Sequence, residues 1–341
     1  MHKIKIVTFF ILLVTAIAMF NSFKGNTLSI WTTETKVFDA LREIGEPVPN
    51  WNLAHFTPEM VKQGYDMIHH GRTTTAEGKK SEYISLYYMC TNCHNSGPED
   101  PVLSVSDPEA RLKFAAEIQI PFLQGTTFYG VVNRESWYND DYYKKYGDLV
   151  LPTQNNIREA IQLCATECSQ GRPLENWEIE SILAYYYSIG YTFFDLGFSV
   201  QDMDAMNKEK QNPAMHASLI EKIKNRYSLK SPATFIEPPY DRNWDTTPKG
   251  NPETGKEVYE LSCQSCHTFM GVSDVIFDDS KKNFKYMNRK FEKNYWWLFE
   301  IVRHGTHPES GHRAYMPLYT AERMSDSQVD DLKAYIEKMA E

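Results

Sequence analysis

Residues 90–94 read CTNCH and residues 263–267 read CQSCH. Two thiols three positions apart can each add to one vinyl group of a porphyrin. The histidine that follows then sets an imidazole beneath the iron. Cys90, Cys93, Cys263 and Cys266 are therefore the expected attachment points of two covalently bound c-type hemes, with His94 and His267 as the proximal iron ligands. Other uses of C-x-x-C fit less well. A redox pair of the thioredoxin kind needs a βαβ context, and the flanking pattern here is helical. A structural disulfide has no need of the histidine. Cys90, Cys93, Cys164 and Cys168 could make a four-thiolate zinc site. The second motif has no further cysteine pair to match it, so heme is the one explanation that covers both.

The elements around the motifs are read as mainly α. Thr57-Pro58 pairs an N-cap residue with proline at the first helical position. KKSEYISLYYMC reads as a helix entering the first motif, and SDPEARLKFAAEI opens on another cap-and-proline signal. Residues 119–154 read as a long aromatic loop. Ile157, Ala160, Ile161, Cys164 and Cys168 share one apolar face of a helix ended by Gly171 and Pro173. ENWEIESILAYYYSIG follows as an amphipathic helix. Residues 24–56 show little periodicity. Residues 201–250 read as a linker with a charged, helix-compatible piece at 213–228 and a proline-dense end. TGKEVYELSC then leads into the second motif, EKNYWWLFEIVRHG ends at Gly305, and Ser325 with Gln328 makes a capping box on the last helix. Helix, C-x-x-C-H, irregular loop and terminal helix resembles the class I cytochrome c fold. The expected architecture is two tandem cytochrome c-like domains, 57–200 and 251–341, after an N-terminal segment.

A six-coordinate heme iron also needs a distal ligand. Met316, beside Pro317 just before the last helix, lies where class I cytochromes place a methionine. Met324, His304, His307 and His312 are its competitors. Between His94 and Asp202 there is no methionine and no histidine. Cys164 and Cys168 are the strongest candidates there, with Lys113, Lys144, Lys145, His69 and His70 behind them. Both thiols also fit as small buried hydrophobes, and a bridge between them would need awkward side-chain geometry.

The order GYDMIHHGRTTT, CTNCHNSG, aromatic loop and REAIQLCATECSQGRPLENWEIESILAYYYSI resembles the diheme thiosulfate dehydrogenases. It is also similar to the sulfur-oxidising Sox cytochromes. The resemblance spans roughly 57–341 and implies that a cysteine of the late helix ligates the first heme. The Gly171-Arg172-Pro173-Leu174 spacing places that role on Cys164. It also implies Met316 on the second heme. Where those families carry arginines around the ligand cysteine, this chain has Ala160 and Glu167, with Arg158 and Arg172 nearby.

A thiolate holds heme iron ferric and a thioether favours ferrous iron. The expected function is electron transport from a low-potential Cys/His heme to a higher-potential Met/His heme. The alternative is a sulfur-compound oxidoreductase of thiosulfate dehydrogenase type, with Cys164 at the reaction centre. The formal net charge of −9 argues against a phosphate-backbone partner and predicts redox proteins with a basic docking face. Lys3, Lys5 and the apolar run Ile6–Phe20 read as a signal peptide or membrane anchor over 1–23. Ala16-Ile17-Ala18 offers a cleavage site, and the run is shorter than the ~20 residues of a comfortable span. The expected location is the periplasm, either soluble or tethered to the cytoplasmic membrane.

Overall fold

The computed structural model describes residues 28–239, 250–291, 297–307 and 315–341. The signal or anchor segment, His312 and residues 240–249 of the linker lie outside the described residues. Among the described residues the secondary structure is helical, with isolated β-bridges and no strand. No described helix is long and apolar enough to cross a membrane.

The helices in chain order are α1 (Val37–Glu43), α2 (Pro58–His70), α3 (Pro108–Ile118), α4 (Tyr142–Tyr146), α5 (Ile157–Leu163) and α6 (Asn176–Ser188). They continue as α7 (Val200–Glu209), α8 (His216–Lys224), α9 (Pro252–Val258), α10 (Lys281–Phe291), α11 (Leu298–His304) and α12 (Asp326–Ala340). The caps read in the sequence are present. The Thr57 side chain accepts from the Met60 amide, Asp107 caps α3, and Ser325 and Gln328 cap each other on α12.

One crossing is built twice. On α2, a Cβ added at Gly64 would lie 2.0 Å from the Ser181 carbonyl oxygen of α6 and 2.9 Å from Tyr185 Cβ. On α9, a Cβ at Gly255 would lie 1.9 Å from the Asp331 carbonyl oxygen of α12 and 2.9 Å from Tyr335 Cβ. Only glycine permits backbones this close. Each pair brackets one C-x-x-C-H motif in sequence, so the crossing fixes where each motif sits.

Among the described residues, three apolar clusters form the interior. The first joins α2, α5 and α6 with Trp51, Phe128 and Trp137. The second joins α9 to α12 but also takes Leu112 and Ala115 of α3, together with Phe122. Helix α3, expected inside the first domain, thus packs into the second core. Gln328 Nε2 donates to the Pro108 carbonyl at 2.8 Å, tying the first turns of α3 and α12. The third cluster packs Trp31 and α1 against 191–227, so the expected linker contributes α7 and α8 to a core.

Three local readings are corrected. Residues 79–89 are not helical. Gly71 ends α2 in the left-handed region at φ 72°, and the chain folds back with Thr75 N–H to Lys79 O at 2.7 Å and Ser81 N–H to Thr73 O at 2.9 Å. A backbone partner a few residues away outcompeted the helical pattern. The aromatic stretch 119–154 contains α4 and short 3₁₀ turns. The cysteine helix does not run on to Gly171: α5 passes into a π-helical turn, Cys164–Cys168, and Gln170 takes the left-handed conformation at φ 52°.

Candidate heme centres

The two motifs are built alike. His94 Nδ1 donates to the Thr126 carbonyl at 2.6 Å, and His267 Nδ1 donates to the Val275 carbonyl at 2.8 Å. Each bond fixes the tautomer that leaves Nε2 with its lone pair free for a metal. Burial lowers both imidazole pKa values, which favours that neutral form. Each ring also stacks on a phenylalanine, His94 on Phe128 at 4.5 Å and His267 on Phe277 at 4.3 Å.

Gly125 sits against the first imidazole. A Cβ there would lie 2.5 Å from His94 Nδ1 and Cε1 and 2.6 Å from the Cys93 carbonyl oxygen. Gly125→Ala is therefore expected to push His94 off the Thr126 carbonyl. Covalent heme at the first motif should fall severalfold relative to the second, as read by mass mapping of heme-bearing peptides. Equal heme at both motifs would contradict this reading.

Cys90, Cys93, His94, Cys164 and Cys168 line one cavity, with about 1480 Å³ of space partly open to solvent. Its apolar wall comes from Ile157, Ala160 and Ile161, on the helix face read in the sequence, together with Ala165. Its polar wall holds Trp137, Arg134, Thr320 and Arg323. Trp137 Nε1 and Thr320 Oγ1 are buried without a hydrogen-bond partner among the described residues. A porphyrin with two carboxylates fits this set, because it fills the apolar part and offers acceptors to stranded donors. A zinc ion does not fit, since no three of the thiol, imidazole or carboxylate groups converge closely enough among the described residues.

The thiols are unequal. The neighbouring Cys168 thiol and burial raise Cys164 well above the ordinary thiol value. The Cys164 contact lowers Cys168 against burial, helped by the hydroxyls of Tyr138 at 3.4 Å and Tyr146 at 3.3 Å and by Lys145. These aromatic donors come from α4 and the loop before it. Nothing in their spacing singles them out, because the contact joins residues 22 and 30 positions apart.

The remaining sequence candidates separate clearly. Lys145 lines the cavity, whereas Lys113, Lys144, His69 and His70 do not; Met89, which the sequence reading did not name, also lines it. Lys144 pairs with Asp141 at 2.9 Å, and His69 stacks on Tyr65 at 4.2 Å. Met324 is core filling, 1% exposed. His304 directs its ring nitrogens to Glu300 at 2.7 Å and Glu237 at 3.1 Å, and His307 is exposed. Met316 is half-buried and packs with Cys263 and Phe277 against the second core. Its backbone exchanges two 2.8 Å hydrogen bonds with Thr306. Arg158 and Arg172 stay out of the cavity, bonded to the Trp51 carbonyl and to buried Glu178.

The second half also reaches into the first cavity. Tyr315, Pro317, Leu318, Thr320 and Arg323 line it. The Tyr315 amide donates to Tyr88 Oη at 2.6 Å, and the Tyr88 hydroxyl donates to the Tyr315 carbonyl. The Tyr315 hydroxyl donates to the Cys168 carbonyl at 2.8 Å. Cys266 Sγ lies 3.9 Å from the Asn92 carbonyl oxygen, so the motifs are neighbours.

Compared with known families, residues 250–336 match the model for cytochrome c oxidase, cbb3-type, subunit III. That segment is a cytochrome c domain. Such a domain carries a covalently bound c-type heme, acts in electron transfer and works with redox protein partners. The CQSCH motif, the Gly255–Asp331 crossing and Met316 all lie within it. No curated protein and no solved structure matches the chain.

Proposed function

We propose that the chain is an exported diheme cytochrome that relays electrons from a thiolate-ligated heme at Cys90, Cys93 and His94 to a methionine-ligated heme at Cys263, Cys266 and His267. The observation that carries it is the contact between the two motifs, with Tyr315 in the wall of the first cavity and Met316 next in sequence. The doubled glycine crossing supports two cytochrome c domains. Bound heme supplies reversible one-electron chemistry at iron.

The chain's own groups set the direction. Cys164 is the proposed distal ligand of the first iron. Cys168 is engaged by the hydroxyls of Tyr138 and Tyr146, and the resemblance to the thiosulfate dehydrogenases puts the ligand role on Cys164. A thiolate there stabilises the ferric state, and the neutral Met316 thioether disfavours it, so electron flow from first to second is downhill. The first cavity supports the relay over a sulfur-compound oxidoreductase, because Arg158 and Arg172 are held elsewhere by Trp51 and Glu178. The leader segment supports a periplasmic location, soluble or tethered.

The test uses the exported protein. Its mass should include two covalent hemes, its redox titration should show two separated waves, and thiosulfate should give no steady-state turnover. A single heme, or sustained thiosulfate oxidation, would overturn the reading.

A further inference from the structure

The two proximal loops differ in what covers them. Phe128, under the first imidazole, is 8% exposed, and residues 229–234 close over that side through Asp141 N–H to Ala233 O and the Arg134 bond to Ser231. The loop under His267 is open. Phe269 and Met270 are 78% and 89% exposed, and Val275 and Ile276 are about half exposed. The loop is nonetheless fixed. Ser273 N–H donates to Cys266 O at 3.1 Å, Phe277 N–H to His267 O at 2.7 Å, and Val275 O holds the imidazole. Met270 sits at φ 65°, a conformation that costs a non-glycine residue energy. A strained, pinned loop that holds large apolar side chains in water marks an interaction surface.

The charge beside it is opposite in sign to the whole. Helix α10 reads KKNFKYMNRKF, with Phe284 and Met287 buried and Lys281, Lys282, Lys285 and Arg289 exposed. Among the described residues no carboxylate is in ion-pair contact with Lys281, Lys282 or Lys285. Asp274, Asp278 and Asp279 lie in the loop itself, three acidic residues against five basic ones over 269–291. The Debye length is about 8 Å at physiological salt, so an approaching protein senses this patch more than the net charge of the chain.

We propose that Phe269, Met270, Val275 and Ile276, flanked by the basic face of α10, dock a one-electron redox protein whose contact face is apolar at its centre and acidic at its rim. This rests on the relay reading, with the second motif as the point of exit. It reverses the basic-faced partner that net charge alone predicts.

The test is stopped-flow oxidation of the reduced full-length holoprotein by three acceptors: ferricyanide, an acidic blue-copper protein and a basic c-type cytochrome. The acidic protein should react faster than the basic one, by about tenfold or more at low salt, with a rate that falls as salt rises. The triple variant Lys281→Glu, Lys282→Glu, Lys285→Glu should reverse that order. Phe269→Ser with Met270→Asn should slow the acidic acceptor while its salt dependence is kept. The docking assignment is overturned if the basic acceptor is the faster one, or if the triple variant leaves the order unchanged. Co-sedimentation of the protein with phosphatidylglycerol vesicles, lost in the triple variant, would assign the patch to a membrane instead and overturn it too. Failure of the relay itself looks different, since every acceptor, ferricyanide included, would then oxidise the protein slowly.

Discussion

Cys164→Met is expected to abolish the low-spin thiolate EPR signal of the oxidised protein. It should also raise the lower of its two midpoint potentials, on the order of a hundred millivolts or more, within the span that axial ligands command. The substitution exchanges a charged donor for a neutral one in a space that accepts it, so the apolar wall of Ile157, Ala160 and Ile161 should hold. Cys168→Ser makes the contrasting measurement. A serine hydroxyl can still meet Tyr138 and Tyr146, so the thiolate signal should persist with altered g-values. The opposite pair of results would move the ligand to Cys168. A signal that survives both substitutions would remove cysteine from the first iron and leave Lys145 and Met89 as the donors in the cavity wall.

Arg323→Met should be strongly destabilising to the folded chain. The Arg323 guanidinium, 5% exposed, makes a two-pronged pair with Glu99, 1% exposed, at 2.8 and 3.0 Å. It also donates to the carbonyls of Leu123 and Gly125 at 3.0 and 2.7 Å. Removing it takes the two-pronged partner from a buried carboxylate and a donor from each of two carbonyls, a loss of about 3–5 kcal/mol for breaking one side of a buried pair. The pair joins positions 224 residues apart, so denaturation should show the two halves loosening from each other. Glu99→Gln in the same background should recover part of the loss, because it removes a buried charge that has lost its main partner. Chemical denaturation of the three proteins at neutral pH checks the order.

The same pair predicts an acid limb. Burial alone would raise the Glu99 carboxyl, but Arg323 and Arg111 overcome it and hold it well below its ordinary value of 4.5. A carboxyl depressed in the folded state contributes stability that is fully present above that ordinary value. The contribution is lost as pH falls through the lower folded value. The parent protein should therefore lose stability below about pH 4.5, and the Arg323→Met variant should show a shallower loss over the same range.

Chemistry carried by contiguous residues was legible in the sequence. Each C-x-x-C-H places two thiols and an imidazole within five positions, and covalent attachment needs that local spacing whatever the rest of the chain does. The helix face of Ile157, Ala160, Ile161, Cys164 and Cys168 was legible for the same reason, since one turn of backbone fixes which side chains share a side. Caps at Thr57, Asp107 and Ser325 were read correctly because they are bonds between residues three apart.

What failed was decided at longer range. Residues 79–89 carry a helical pattern, yet they pair with 71–75 because Gly71 turns the chain back on itself. Helix α3 belongs to the second core because Leu112 and Ala115 meet residues some 150 to 220 positions later. The tyrosines on Cys168, the stranded donors of Trp137 and Thr320, and the Arg323–Glu99 pair have no local signature. The sign of the charge at the second motif was hidden as well. Composition reports a net of −9, while folding gathers the lysines of α10 on one face beside an apolar loop.

By itself, then, the sequence marked the second motif as a cytochrome c heme site, and it named the histidines and the short list of thiols proposed for the two centres. Tertiary structure decided which side chains surround those thiols, that the two motifs touch, and which motif opens to solvent. The physical reason is range. Covalent attachment and helix phase are fixed by neighbours along the chain, whereas burial, hydrogen bonding across a cavity and local electrostatics depend on which distant segments fold together.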